Sequence, residues 1–206
     1  IAAVSRVLDG SGVHVGAQNA LAEGSGAFTG EVSMAMLADI CSHVIVGHSE
    51  RRQLFGETDR SVSEKTAAAQ NHGLRPIVCV GESLEVRDSG EALEYVGAQL
   101  RASLDGVASS ENLVIGYEPV WAIGTGRSAR PDMAQEMAGA IRAELASTYG
   151  QAPAAEIPIL YGGSVNADNI GPYVDRPDVD GALVGGASLK SDEFVQLVKL
   201  TASIRA

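Results

Sequence analysis

The sequence predicts an α/β fold in which parallel strands alternate with helices. Three observations predict it: six short apolar runs rich in Val and Ile, helix-length stretches between them, and glycine and polar residues gathered directly after the runs. Strands buried on both faces lose the apolar-polar alternation that a one-sided antiparallel sheet keeps. Regular alternation of strand and helix calls for repeated βα units. Six strands suit a doubly wound open sheet. They equally suit part of a (β/α)8 barrel, which closes with eight strands and typically ~250 residues.

In chain order, Ile1–Leu8 has apolar residues at 1, 4, 7 and 8 and reads as turns of an amphipathic helix entered without a cap. The strand runs are Val13–Ala17, Val44–Val46, Ile77–Val80, Leu113–Ile115, Ile159–Leu160 and Ala182–Val184. Helices are predicted over Glu31–Asp39, Ser61–Asn71, Glu91–Leu104, Asp132–Thr148 and Asp192–Leu200. Glu91–Leu104 places Leu93, Val96, Leu100 and Leu104 on one stripe, and Asp132–Thr148 repeats Met133, Met137, Ile141 and Leu145 at a spacing of four. Asp132, just after Pro131, is the expected cap of its helix.

Composition bounds the function classes. A chain of 206 residues, 45% hydrophobic and 20% charged, allows one globular domain with a sizeable core or two small ones. The net charge of -11 is spread along the chain, which disfavours nucleic acid and anionic membrane surfaces as partners. No apolar run approaches the ~18 residues of a membrane span. Cys41 and Cys79 lack metal-ligand spacing and read as buried thiols of a reducing compartment. His43 and His48 have no carboxylate at a spacing that would complete a zinc site, so no metal is expected.

The chemistry gathers at the strand ends, where parallel α/β proteins place ligands. Glu118 ends a strand and precedes the apolar, Pro- and Gly-bounded segment Pro119–Arg127. A carboxylate in an apolar, closable pocket suits a general base, and the segment suits a lid that moves as a body. A solvated glutamate before a tight loop is the alternative. His48 follows Gly47 after another strand. Beside a helix N-terminus the positive dipole end disfavours imidazolium, and a neutral ring there can donate to a developing oxyanion. A structural histidine is the competing reading. Gly185-Gly186 and Tyr161-Gly162-Gly163-Ser164 follow the last two strands, where barrels often bind phosphate on backbone N–H groups. Neither GxGxxG nor GxxxxGK[ST] occurs, so dinucleotide and triphosphate binding lack their signatures.

These motifs resemble the triosephosphate isomerase family over essentially the whole chain, in wording close to bacterial members, actinobacterial ones among them. Gly47–Arg52 resembles its fourth-strand motif and Tyr117–Gly126 its catalytic glutamate and lid. Tyr161–Val165 and Asp180–Leu189 resemble its phosphate loops, Ala17–Asn19 and Gly26–Glu31 its third-strand region, and Pro76–Glu82 its fifth strand. The resemblance implies a (β/α)8 barrel with six of eight βα units present, in a single domain over residues 1–206. It implies an intramolecular aldose-ketose isomerase that interconverts dihydroxyacetone phosphate and D-glyceraldehyde 3-phosphate, without cofactor or metal. In that family the glutamate is known as the base and the histidine as a neutral electrophile. Glu118 and His48 inherit those roles. Gly124, Ser164, Gly185 and Gly186 inherit phosphate binding. Glu50 is implied as a carboxylate supporting the site, and Cys79 as a packed thiol that helps place the glutamate. Gln18–Thr29 is implied as the loop docking a homodimer, in the cytoplasm.

Two departures set further expectations. The family's opening strand ends in Asn-x-Lys, and no such stretch occurs here. The chain is therefore expected to lack strand 1, helix 1 and strand 2, and to be incomplete at its N-terminus. Ile40-Cys41-Ser42 is one residue shorter than the usual approach to the fourth strand. Beside the isomerase stand two alternatives: an inactive fragment, or a non-catalytic phosphate-binding barrel. An aldolase would need a Schiff-base lysine at a strand end, and Lys65, Lys190 and Lys199 lie in or beside helical stretches.

Overall fold

The computed structural model describes residues 1–123 and 128–205. Its strands are β1 (Gly16–Ala17), β2 (His43–Val46), β3 (Arg75–Val80), β4 (Val114–Tyr117), β5 (Ile159–Tyr161) and β6 (Gly181–Ala182). They lie in one sheet in chain order, β1-β2-β3-β4-β5-β6. This is the strand order of a (β/α)8 barrel with six of its eight units, and it decides against the doubly wound sheet, whose strand order reverses at a switch point.

The chain divides into two compact units: Ile1–Cys79 with Ala102–Val114, and Val80–Arg101 with Ile115–Ala206. In the first, β1 and β2 pair in parallel with Gly16 opposite His43, and β2 and β3 with Val46 opposite Val78. In the second, Tyr117 of β4 lies opposite Tyr161 of β5, which lies opposite Ala182 of β6. All four residues of β4 are buried, as expected of a strand covered on both faces.

The helices of the first unit include α1 (Ala2–Leu8), α2 (Met34–Ala38), α3 (Ser49–Phe55) and α4 (Asp59–Asn71). Thr58 opens α4 with a capping box: its hydroxyl accepts from Ser61 N–H while the Ser61 hydroxyl accepts from Thr58 N–H. Val62, Thr66 and Ala69 then form the buried stripe. In chain order α5 (Leu84–Asp88) and α6 (Ala92–Ser103) follow, then α7 (Pro131–Tyr149), α8 (Gln151–Glu156), α9 (Gly171–Val174) and α10 (Ser191–Arg205). The buried face of α7 is Ala134, Met137, Ala138, Ile141 and Leu145, the 3-4 spacing of one helical stripe.

The structure corrects three expectations. The chain's N-terminal region is not without a first strand, first helix and second strand: β1, α1 and β2 are all present there. Their signals are weak in the sequence, because β1 is two residues long and Ile1 at the start of α1 makes no side-chain cap bond. Asp132 does not cap α7. Arg130 is the cap residue and Pro131 takes the first helical position, which suits its fixed φ and missing N–H. The Asp132 carboxylate instead accepts from Arg176 at 2.5 Å. Finally, α10 runs to Arg205 rather than Leu200.

Candidate active site

In the first unit, β2 delivers the chain to Gly47 and His48. Gly47 has φ +70°, and a Cβ there would lie 2.8 Å from Val62 Cγ2, so both backbone and packing require glycine. His48 caps α3. Its Nδ1 accepts the Glu50 backbone N–H at 3.3 Å. That acceptor role leaves the ring proton on Nε2, which is the tautomer an oxyanion donor needs. The Glu50 carboxylate is exposed, and its backbone N–H touches the histidine.

Behind His48 lies a buried charge network. Gly47 N–H donates to Glu57 Oε2 at 3.1 Å. Glu57 Oε1 accepts from Arg51 Nε at 2.6 Å and Lys65 Nζ at 2.5 Å, and Lys65 also holds Asn19 Oδ1 at 2.8 Å. Burial alone would raise the Glu57 pKa, but the hydrogen bonds and charges of Lys65 and Arg51 outweigh it and hold it below the ordinary value. Cys79, fully buried in β3, presents its carbonyl to Arg52 Nη2 at 3.1 Å.

In the second unit, Glu118 follows β4 and is 2% exposed. Its N–H donates to Val80 O at 2.8 Å. Two glycines make room for it. A Cβ on Gly81 would fall 1.7 Å from the Glu118 carbonyl oxygen, and one on Gly162 would fall 3.0 Å from Glu118 Cγ. The residues beside Glu118 are tied to Glu82, which is fully buried. Glu82 Oε1 accepts from Tyr117 Oη at 3.2 Å, Trp121 Nε1 at 2.9 Å, and Arg87 Nε and Nη2 at 2.9 and 2.7 Å. Burial, and then the Glu82 charge, push the Tyr117 hydroxyl well above its ordinary pKa, so it remains a donor.

The neighbouring strand ends carry the glycine loops. Ser164 follows β5, half-buried, with its carbonyl accepting from Asn169 Nδ2 at 3.3 Å. Gly185 and Gly186 follow β6 and are exposed. A Cβ on either would meet nothing within 4 Å, so protein packing does not explain the glycines. Ser188 closes this turn, its N–H and Oγ donating to Gly185 O at 2.9 and 2.7 Å. Gly124, with Thr125, Gly126 and Arg127 of the expected lid, lies outside the described residues. Just beyond, Ala129 is held on both sides: its N–H donates to Tyr161 Oη at 3.1 Å and its carbonyl accepts from Tyr173 Oη at 2.5 Å. The two tyrosine rings stack with centroids 4.4 Å apart.

Within its unit, then, the structure brings His48 and the Glu50 backbone together. In the other it aligns Glu118, Ser164 and Gly185-Gly186 on the adjacent strands β4, β5 and β6. Sequence reasoning missed Glu57, Lys65, Glu82 and Tyr173. Lys65, Glu82 and Tyr173 are buried and Glu57 is half-buried, and burial of a polar group is not visible in composition. Arg52 and Glu82 stand inside the family motifs, but nothing in the sequence gives them a role.

The chain matches the family model described as triosephosphate isomerase over residues 1–201. It is 55% identical to the triosephosphate isomerase of Chloroflexus aurantiacus, over 96% of this chain and 80% of that protein. To that of Nocardia farcinica it is 56% identical, over 91% of this chain and 73% of the other. To that of Thermus thermophilus it is 52% identical, over 94% and 79%.

Proposed function

The chain belongs to the triosephosphate isomerase family, and from that premise we propose how its residues divide the work. The reaction is interconversion of dihydroxyacetone phosphate and D-glyceraldehyde 3-phosphate by proton transfer. Glu118 takes a proton from the carbon beside the carbonyl and returns it to the neighbouring carbon. His48 donates from Nε2 to the oxygen that becomes negative in the enediolate, the step at which a fixed donor acts most strongly. Backbone N–H groups around Ser164, Gly185 and Gly186 hold the phosphate. Gly124 joins them on the resemblance alone. Glu50 contributes its N–H to His48, and Cys79 a packed thiol in β3.

One observation carries this reading: Glu118 is nearly fully buried at a strand end, with Gly81 leaving space for its backbone and Gly162 for its side chain. The open ground around Gly185 and Gly186 supports the phosphate assignment.

We further read the protein as a cytoplasmic homodimer docked through Gln18–Thr29. Exposed Phe28, at 42% of its surface, supports an apolar contact there. Cys41 and Cys79 are free thiols, the state a reducing compartment maintains. Among the described residues no helix is long and apolar enough to cross a membrane. The family match over residues 1–201 supports a single domain.

Glu118→Asp draws the carboxylate back by one methylene and is expected to lower kcat by about 10²-fold or more with the fold retained. His48→Gln is expected to lower it by about 10²-fold. Steady-state kinetics in both directions, with circular dichroism as the fold control, checks both. Parental turnover in either variant removes that residue from its role.

A further inference from the structure

His48 is two residues beyond β2, and one side chain holds the peptide that carries it out of the strand. Arg52 Nε donates to the Gly47 carbonyl at 2.7 Å, and the Arg52 backbone N–H donates to the His48 carbonyl at 3.0 Å. The Arg52 side chain thus holds the peptide before His48, and the backbone N–H groups of Arg51 and Arg52 hold the carbonyl after it. The far side of the guanidinium is anchored in turn. Nη1 meets Asp59 Oδ1 at 2.6 Å, and Nη2 meets Cys79 O and Ser103 Oγ at 3.1 Å each. Ser103 is fully buried and donates to the same Asp59 oxygen at 3.2 Å. From the other side, Glu57 accepts the Gly47 N–H.

We propose that Arg52 is a positioning residue for His48, with Glu57 completing a clamp on the Gly47 peptide. The proposal rests on the reading of His48 as the oxyanion donor. Three features carry it. Gly47 has φ +70° and no side chain, so its two peptide planes need an external hold to fix their orientation. The clamp contacts both the N–H and the carbonyl of Gly47, and those bonds set the direction in which His48 departs. Only a planar fork offers donors toward Gly47, Asp59, Cys79 and Ser103 at once, which an ammonium at one point cannot. Stability alone accounts poorly for the arrangement. The Arg52–Asp59 pair is partly exposed, Asp59 at 37%, and such pairs contribute little. The bonds to the two strand-end carbonyls, by contrast, are directed at the residue before His48 and at the end of β3.

The test is a double-mutant cycle on the isomerase with Arg52→Lys and His48→Gln. Arg52→Lys is expected to lower kcat about 10- to 100-fold, the cost of a misplaced catalytic group. KM is expected to change little, because the phosphate contacts lie elsewhere. In the His48→Gln background, the same Arg52→Lys is expected to change kcat by less than about twofold, since its partner in catalysis is already gone. In ¹⁵N-histidine-labelled Arg52→Lys, the His48 Nδ1 resonance is expected to move as its bond from Glu50 loosens.

Parental kcat in Arg52→Lys, or its full loss repeated on His48→Gln, would overturn the proposal. If Arg52→Lys does not fold, Glu57→Gln enters the same cycle from the opposite side of Gly47, with the same two outcomes. Parental turnover in His48→Gln would instead remove the reading beneath the clamp. A crippled His48→Gln beside a parental Arg52→Lys would remove the clamp alone.

Discussion

Gly81 and Gly162 flank Glu118, and their absent side chains matter as much as the carboxylate. The Gly81 position is the tighter, with backbone of Glu118 where a Cβ would sit. Gly81→Ala is therefore expected to displace the backbone that carries Glu118. Destabilisation of at least about 1–3 kcal/mol in urea denaturation is expected, together with a large fall in kcat. A soluble Gly81→Ala with parental stability and turnover would contradict this packing. Glu57 makes a second prediction at this scale. Its folded pKa lies below its ordinary 4.5, so its stabilising contribution is complete above about pH 4.5 and fades as pH falls through the folded value. Glu57→Gln is expected to be about 2 kcal/mol less stable than the parent at pH 7. The gap should narrow as the buffer is taken below pH 4.5. A gap that stays constant down to pH 3 would show that Glu57 is not stabilised as a carboxylate.

At the scale of elements, the loop ends are held by side chains from other elements rather than by their own sequence. Tyr161 of β5 and Tyr173 of α9 hold the two backbone groups of Ala129. Tyr173→Phe keeps the ring on Tyr161 but leaves the buried Ala129 carbonyl without that donor. A loss of about 1–2 kcal/mol is expected from thermal or urea unfolding. No change would mean that the bond contributes nothing net. The sequence made the six strands legible because their Val- and Ile-rich runs stand between polar loops. It placed the ends of β1 and β6 less well: Val13–Ala17 pairs only at Gly16–Ala17, and the run at Ala182–Val184 only at Gly181–Ala182. Each of these strands ends the sheet and has a partner on one side, so its ladder stops sooner. The long helices α4, α6 and α7 were legible from their apolar period. The short helices α3, α5, α8 and α9 were not, because four to seven residues complete too few turns to show a period.

At the scale of the molecule, the resemblance identified the reaction, and the residues alone reached only a parallel α/β protein with a candidate base, a candidate donor and two glycine loops. The distance between those readings has a physical cause. Bases, oxyanion donors and phosphate loops are defined by what surrounds them, and those surroundings mix near and distant stretches of the chain at no fixed spacing. Glu82 gathers Arg87, Tyr117 and Trp121, and Glu57 gathers Asn19-bound Lys65, Arg51 and Gly47. No local pattern announces either network. For the whole protein, the central claim is isomerisation by proton transfer through Glu118. The direct measurement is turnover of dihydroxyacetone phosphate in D₂O, followed by NMR, for the parent and Glu118→Asp. The predicted product is glyceraldehyde 3-phosphate, with solvent deuterium at C2 in those molecules formed after the proton on Glu118 has exchanged, and the variant forms it about 10²-fold or more slowly. A variant that matches the parent in turnover would contradict that claim.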